Sequence, residues 1–207
     1  MARYTDAVCR LCRREGMKLF LKGERCFTRK CAFERRPSIP GVHPWKRQKT
    51  EYGRRLREKQ KVKRYYGILD KQFKKYFRQA ERLRGDTGLN LLLLLERRLD
   101  NVLRRLGLAV SVAQARQFIL HRHILLNNRL ATRPSILVKK GDTISVAEKE
   151  KSQNLIKQNL NANTDLEPAT WLSFSEDTLE GVVLELPIRE EIPIQIEEQL
   201  IVEFASK

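Results

Sequence analysis

Four cysteines stand near the N-terminus as Cys9, Cys12, Cys26 and Cys31, a C-x2-C-x13-C-x4-C spacing. A C-x2-C turn aims two thiolates at one point, and a second pair downstream completes a tetrahedron around Zn2+ with Zn–S distances of about 2.3 Å. Four sulfurs leave no open position for water, so the expected zinc is a structural staple and not a catalyst. An iron–sulfur cluster uses the same ligands and ranks second to zinc, because spacing alone does not separate the two. Two disulfides or free thiols are the remaining readings, and a reducing compartment argues against the disulfides. Arg10, Arg13, Arg14, Lys18, Lys22, Arg25, Arg29 and Lys30 flank the thiols and are expected to favour thiolates and offset the negative charge of a four-thiolate centre. The segment itself is too polar to fold unaided.

The second chemistry is attraction for phosphate. The chain carries a formal charge of +17, but residues 1–150 hold 38 Lys and Arg against 14 Asp and Glu, while residues 151–207 hold 4 against 11. The basic part calls for a polyanion, and so dense a field mostly supplies salt-sensitive attraction to phosphates. An anionic membrane surface is the rival polyanion. No signal peptide is visible, and the run Leu91 to Leu95 is far too short to span a bilayer, so cytoplasmic residence with no membrane partner is expected. The candidate RNA-binding residues fall in three groups. Arg35, Arg36, His43, Lys46 and Arg47 lie on a connector. Arg54, Arg55, Arg57, Lys59, Lys61, Lys63 and Arg64 lie on one basic helix. Arg97, Arg104, Arg105, Ser111, Gln114, Arg116, Gln117, His121 and Arg122 lie on a pair of short helices.

The elements that carry these groups are legible in turn. Residues 34–50 hold three of the seven prolines and read as an extended connector. It is either a plain linker or a basic arm into RNA with Trp45 or His43 stacking on a base. Glu51 to Tyr66 reads as a helix with too few glutamates to pair its lysines and arginines, so a phosphate-facing surface is expected. Asp70 is placed to cap a helix that buries Phe73, Phe77 and Ala80. Leu95 to Leu106, on a wheel of about 100° per residue, puts Leu95, Leu99, Val102 and Leu106 on one face and Arg97, Asn101 and Arg104 on the other. Gly107 ends that helix. Ser111 and Gln114 form a capping box for Val112 to His121, with Gln114, Gln117 and His121 facing outward. Ile124 to Leu126 reads as a strand closed by Asn127-Asn128, with further strands at Ile136 to Val138 and Thr143 to Glu148. Lys149 to Asn163 reads as a polar helix or arm. Trp171 to Phe174, Gly181 to Leu186 and Gln199 to Phe204 are short strand candidates in a tail expected to pack back on earlier helices.

From Arg98 to Asn127 these residues resemble the alpha-L RNA-binding fold, with Arg98-Leu99-Asp100, Leu103, Ser111, Ala115-Arg116, Ile124 and Asn127 at its pattern positions. Two departures stand out: Val112-Ala113 replaces a pair of arginines found in many members, and Arg122 stands where many have glycine. The whole chain resembles the small ribosomal subunit protein four family of bacteria. The likeness rests on the MARYT start, the cysteines, Glu34-Arg35-Arg36-Pro37, Arg57-Glu58-Lys59-Gln60-Lys61, Lys71-Gln72-Phe73, Arg98-Leu99-Asp100-Asn101 and the closing EQLIVEF. Pro44 departs from the family's usual glycine. The resemblance implies an α+β chain in four parts: a zinc-binding segment and connector (1–44), a helical rRNA-binding domain (45–96), an inserted alpha-L domain of two helices and a small antiparallel sheet (97–163), and C-terminal strands packing on the helical domain (164–207). It also implies a structural protein that binds the 5′ domain of small-subunit rRNA at a helix junction and nucleates assembly. Its implied place is beside small-subunit proteins three and five near the channel where messenger RNA (mRNA) enters, with an influence on fidelity.

Two other classes are weighed against this. Alpha-L modules also occur in pseudouridine synthases, whose catalytic aspartate lies in a G-R-L-D motif. Here Arg97 replaces the glycine, Asp100 is expected to pair with Arg104 at i+4, and too little chain remains for a catalytic domain, so no enzyme is expected. A DNA-binding zinc protein fits the cysteines but not the alpha-L pattern, so no DNA partner is expected. Arg104→Ala or Arg116→Ala is expected to weaken RNA binding at little cost in stability.

Overall fold

The computed structural model of the chain describes residues 4–42, 50–162 and 169–206. In chain order the helices are α1 (Cys9–Glu15), α2 (Ala32–Arg35), α3 (Glu51–Tyr65), α4 (Asp70–Glu81), α5 (Thr87–Glu96), α6 (Leu99–Arg105), α7 (Val112–Leu120), α8 (Glu150–Ala162) and α9 (Glu198–Ala205). The strands are β1 (Ile124–Leu126), β2 (Arg129–Leu130), β3 (Thr143–Val146), β4 (Leu172–Ser175) and β5 (Glu180–Val183). The chain divides into two compact units, Met1–Leu92 with Ile194–Lys207, and Leu93–Pro193. The class is α+β, as expected.

In the first unit α3 starts where Thr50 accepts a hydrogen bond from the Gly53 amide at 3.1 Å, an N-cap contact that satisfies an otherwise orphaned donor. Helix α4 buries Phe73, Tyr76, Phe77 and Ala80, a spacing of three and four residues that keeps one stripe inside. The cap residue of α4 is Leu69, not Asp70. Asp70 opens the first turn, where its carboxylate is taken up by lysines of α3. Helix α9 replaces the strand expected at Gln199 to Phe204, because a short apolar run fits either period until packing decides. Here Ile201 is buried and Phe204 lies against Tyr52 of α3, ring centroids 5.4 Å apart. A Cβ on Gly88 would sit 2.6 Å from that of Glu198, so glycine lets α5 begin against α9.

The second unit is organised on an antiparallel sheet of order β2-β1-β3-β5-β4. Asn127 and Asn128 join β1 to β2 with φ of 51° and 61°, the left-handed pair that a two-residue hairpin demands. Leu103, Leu106, Phe118, Ile119, Ile144 and Trp171 belong to its core. A Cβ on Gly181 would lie 2.9 Å from Leu106 Cδ1, so β5 can rest directly on α6.

Three expectations change in this unit. The helix read as Leu95 to Leu106 is broken: α5 ends at Glu96, and Arg98 is extended with ψ 135°. The segment expected as the strand Ile136 to Val138 supplies the reason. Leu99 N donates to Ile136 O at 2.9 Å, Asp100 N to Pro134 O at 3.2 Å and Val138 N to Arg97 O at 2.9 Å, so this segment pairs with the helix break and not with the sheet. The tail also divides. Strands β4 and β5 extend the sheet of the second unit, where burying Leu172 and Val183 outweighs any docking on the helices. Only Ile194 onward packs in the first unit.

Candidate nucleic-acid interface

The cysteine segment turns back on itself through α1, a one-turn 3-10 helix at Gly23–Cys26 and α2. None of the four cysteines is in a disulfide, and Cys12, Cys26 and Cys31 are buried. Burial pushes the Cys12 thiol up, a backbone N–H at Leu19 pulls it down, and charge on Cys26, Cys9 and Cys31 would push it up further. Cys26 is likewise raised by burial, against the pull of the Lys22 amide, which donates to its Sγ at 3.4 Å. The four sulfurs therefore lie within electrostatic reach of one another, with backbone donors aimed at two of them. That donor set suits a soft metal in type and number, although among the described residues no group of three or more His, Cys, Asp or Glu stands at metal-holding geometry. The expected help from flanking cations is outweighed by burial. Lys18 is engaged by Glu34 and Arg13 donates to Ser38 O.

Helix α3 corrects a local count. Its lysines and arginines do find carboxylates, mostly on other elements. Arg54 lies 3.3 Å from Glu51, Arg55 2.7 Å from Glu203, Arg57 3.3 Å from Glu15, and Lys61 2.5 Å from Glu58. Lys59 and Lys63 share Asp70 at 3.1 and 3.0 Å, and Arg64 joins Arg57 on the buried Glu15. Lys59 is itself buried, its Nζ 5.0 Å from the Phe204 centroid. This helix presents cations whose positions are fixed before any partner arrives, not a loose basic brush. Arg35, the last residue of α2, and Arg36, just after it, are exposed, and His43, Lys46 and Arg47, with Trp45 and Pro44, lie outside the described residues.

In the second unit the predicted residues separate into a buried and an exposed set. Arg98 is fully buried, donating to both carboxylate oxygens of Asp100, with Arg116 3.9 Å away. Burial raises the Asp100 carboxyl, and both guanidiniums act against that rise. Arg116 is only 6% exposed, so the expectation that its removal costs little stability is overturned. Asp100 pairs with these two arginines. Arg105 is held by Glu96 at 2.7 Å, and Asn101, expected on the cationic face, is buried and donates to the same carboxylate. Ser111 is buried as the N-cap of α7, accepting from Gln114 N at 3.3 Å, while Gln114 Oε1 accepts from Val110 N, one residue earlier than a capping box requires. Gln114 also reaches Asn159 at 3.1 Å. Arg97 is half-buried, its Nε donating to Val138 O at 3.0 Å, and Arg104 keeps part of its surface.

Gln117, His121 and Arg122 are exposed at the end of α7. Exposed Arg129, Arg133, Lys139 and Lys140 were missed by the sequence reading, although the Asn-Asn and Lys-Lys-Gly turns beside them mark loop tips.

The Ribosomal protein S4/S9 N-terminal domain family matches residues 3–96, and the S4 domain family matches residues 97–144. Small ribosomal subunit proteins uS4 of Halothermothrix orenii, Thermoanaerobacter sp. (strain X514) and Geobacter sulfurreducens are 57%, 55% and 53% identical to the chain over 208 residues, covering 100% of each. The chain belongs to the uS4 family. The two family matches meet at Arg97, inside the helix break that the segment 134–138 braces. These relatives are named as ribosomal proteins and not as enzymes. Asp100 agrees with that, since a carboxylate sealed between two arginines offers no general base to a substrate. Of the departures from the alpha-L pattern, Val112 is buried, Ala113 leaves an uncharged exposed position, and Arg122 adopts φ 61°. Among the described residues no helix is long and apolar enough to cross a membrane.

Proposed function

We propose that this chain is a structural constituent of the small ribosomal subunit that binds the 5′ domain of small-subunit rRNA at a helix junction. The observation that carries the reading is 57% identity, over the full length of both chains, to a protein named uS4. A junction of RNA helices offers phosphates and 2′-hydroxyls in fixed positions, and a rigid basic surface reads that shape without a base code. The carboxylate-held cations of α3 suit such reading, because less side-chain entropy is lost on binding. On this reading the protein nucleates assembly of the 5′ domain. It sits beside small-subunit proteins three and five near the mRNA path and influences fidelity. The test is binding of the purified chain to 5′-domain rRNA against scrambled structured RNA across a salt series. Preference that survives high salt supports the reading, and equal binding that collapses with salt removes it.

Zinc belongs to the same proposal. Cys9, Cys12, Cys26 and Cys31 would hold it, and the metal would supply a cross-link and discharge the thiolates. The chain supplies the burial, the backbone donors from Leu19 and Lys22, and the Glu15 contacts that join α1 to α3. Metal analysis of the purified chain should return one zinc, and a chelator should lower its melting temperature. Iron with acid-labile sulfide would replace zinc by a cluster.

A further inference from the structure

Phe27 is 65% exposed, the most exposed aromatic side chain among the described residues. It stacks on Phe20 with ring centroids 5.0 Å apart and planes 28° apart. Among the described residues no second ring and no cation covers it. Phe20, its backing, is held with φ 50°, a conformation bulky residues rarely adopt unless their surroundings impose it. Buried Leu19 and Cys26 flank the pair in sequence and tie it to the cysteine segment. The setting is cationic: Lys22, Arg25, Arg29 and Lys30 are exposed, and among the described residues none of the four has a carboxylate partner. Glu24 is the one acid between Leu19 and Lys30. These cations differ from those of α3, each of which is paired.

We infer that Phe27, backed by Phe20, is a stacking platform for one unpaired RNA base, with the exposed cations of the same segment taking the adjoining phosphates. This rests on the RNA-binding reading above and deepens it. An aromatic face in a basic field is what single-stranded nucleotides require, a π surface for the base and charge for the backbone. A protein partner would need a wider apolar patch, and the other exposed residues here are polar or charged.

The test uses the full-length chain and two single-stranded probes of equal length and charge, oligoadenylate and its abasic counterpart. The wild-type chain should prefer oligoadenylate by roughly tenfold, the worth of about one stacked base. Phe27→Leu, which keeps apolar bulk at an exposed site, should lose most of that preference, and Phe27→Tyr should keep it. The slope of log affinity against log salt should be the same in all three, since no phosphate contact is removed. A Phe27→Leu chain with wild-type preference overturns the platform. So does equal weakening on both probes, which would make the ring part of the fold. Failure of the wild-type chain to prefer 5′-domain rRNA over scrambled RNA is a separate result that strikes the ribosomal reading alone.

Discussion

Arg98 lies wholly inside the second unit and donates to both carboxylate oxygens of Asp100, two residues on, at 3.0 and 2.6 Å. The extended backbone at Arg98 makes this possible: in a continuous helix, residues two apart do not face each other. The ion pair and the helix break are therefore one feature. Asp100→Asn leaves Arg98 buried without a counter-charge, which costs about 3–5 kcal/mol. Urea unfolding followed by tryptophan fluorescence in a Trp45→Phe background, which leaves buried Trp171 of the same unit as the reporter, should show a large fall in midpoint. A midpoint within experimental error of wild type would show that Arg98 does not need its partner.

Glu15 serves the first unit in the same way. Its side chain is 1% exposed and receives both Arg57 and Arg64 of α3, so a single carboxylate fastens the cysteine segment to the basic helix. Glu15→Gln should destabilise the chain by about 3 kcal/mol, the lower end of the cost of breaking a buried pair, because both guanidiniums keep some solvent contact. Limited proteolysis is the sharper readout. Cleavage within residues 4–42 should accelerate while β1 to β5 stay protected, and equal protection in both chains would refute the fastening role.

Much of this was legible because the signals are local. Ser111 caps the helix assigned to it, Phe73 and Phe77 are buried, and Asn127-Asn128 makes its turn. These outcomes depend on residues a few positions apart. What stayed hidden is long-range. No window around α3 contains Glu15 or Glu203, so its cations looked unpaired. Nothing local distinguishes Ile136 to Val138 as a strand from a segment that braces a helix break. The apolar spacing of α9 fits strand and helix equally until Tyr52 and Phe204 meet. The RNA-facing set suffered most, since a wheel cannot tell that Arg116 and Asn101 turn inward to meet Asp100 and Glu96.

Asp70 gives the first unit an acid limb. Hydrogen bonds from Lys63, and then from Lys59, hold its carboxyl down at about 2, below the ordinary value near 3.9. A folded value below the unfolded one means the contribution is complete above about pH 4 and is lost as pH falls through about 2. The side chain is 46% exposed, so solvent screening keeps the contribution under about 1 kcal/mol. Asp70→Asn should lower stability slightly at pH 7 and flatten the pH–stability profile between pH 4 and 2. A profile that falls as steeply as wild type in that window assigns the acid limb to other carboxylates.

Arg122 closes the turn after α7 with its amide donating to Ile119 O at 3.1 Å and φ at 61°. Left-handed backbone costs a non-glycine residue about 1–2 kcal/mol, and glycine in its place forfeits about 0.5–1 kcal/mol of unfolded-state entropy. Arg122→Gly should therefore stabilise the chain by up to about 1 kcal/mol. It also removes an exposed cation from the end of α7. If that guanidinium meets a phosphate, affinity for 5′-domain rRNA falls and the salt slope drops by about 0.9. Stability and binding then move in opposite directions, which fold damage cannot produce, since fold damage lowers both. Arg122→Lys separates charge from backbone: it keeps the strain, and with it wild-type stability, while retaining most of the binding. Higher stability with unchanged affinity in Arg122→Gly would mean the arginine faces solvent in the bound state.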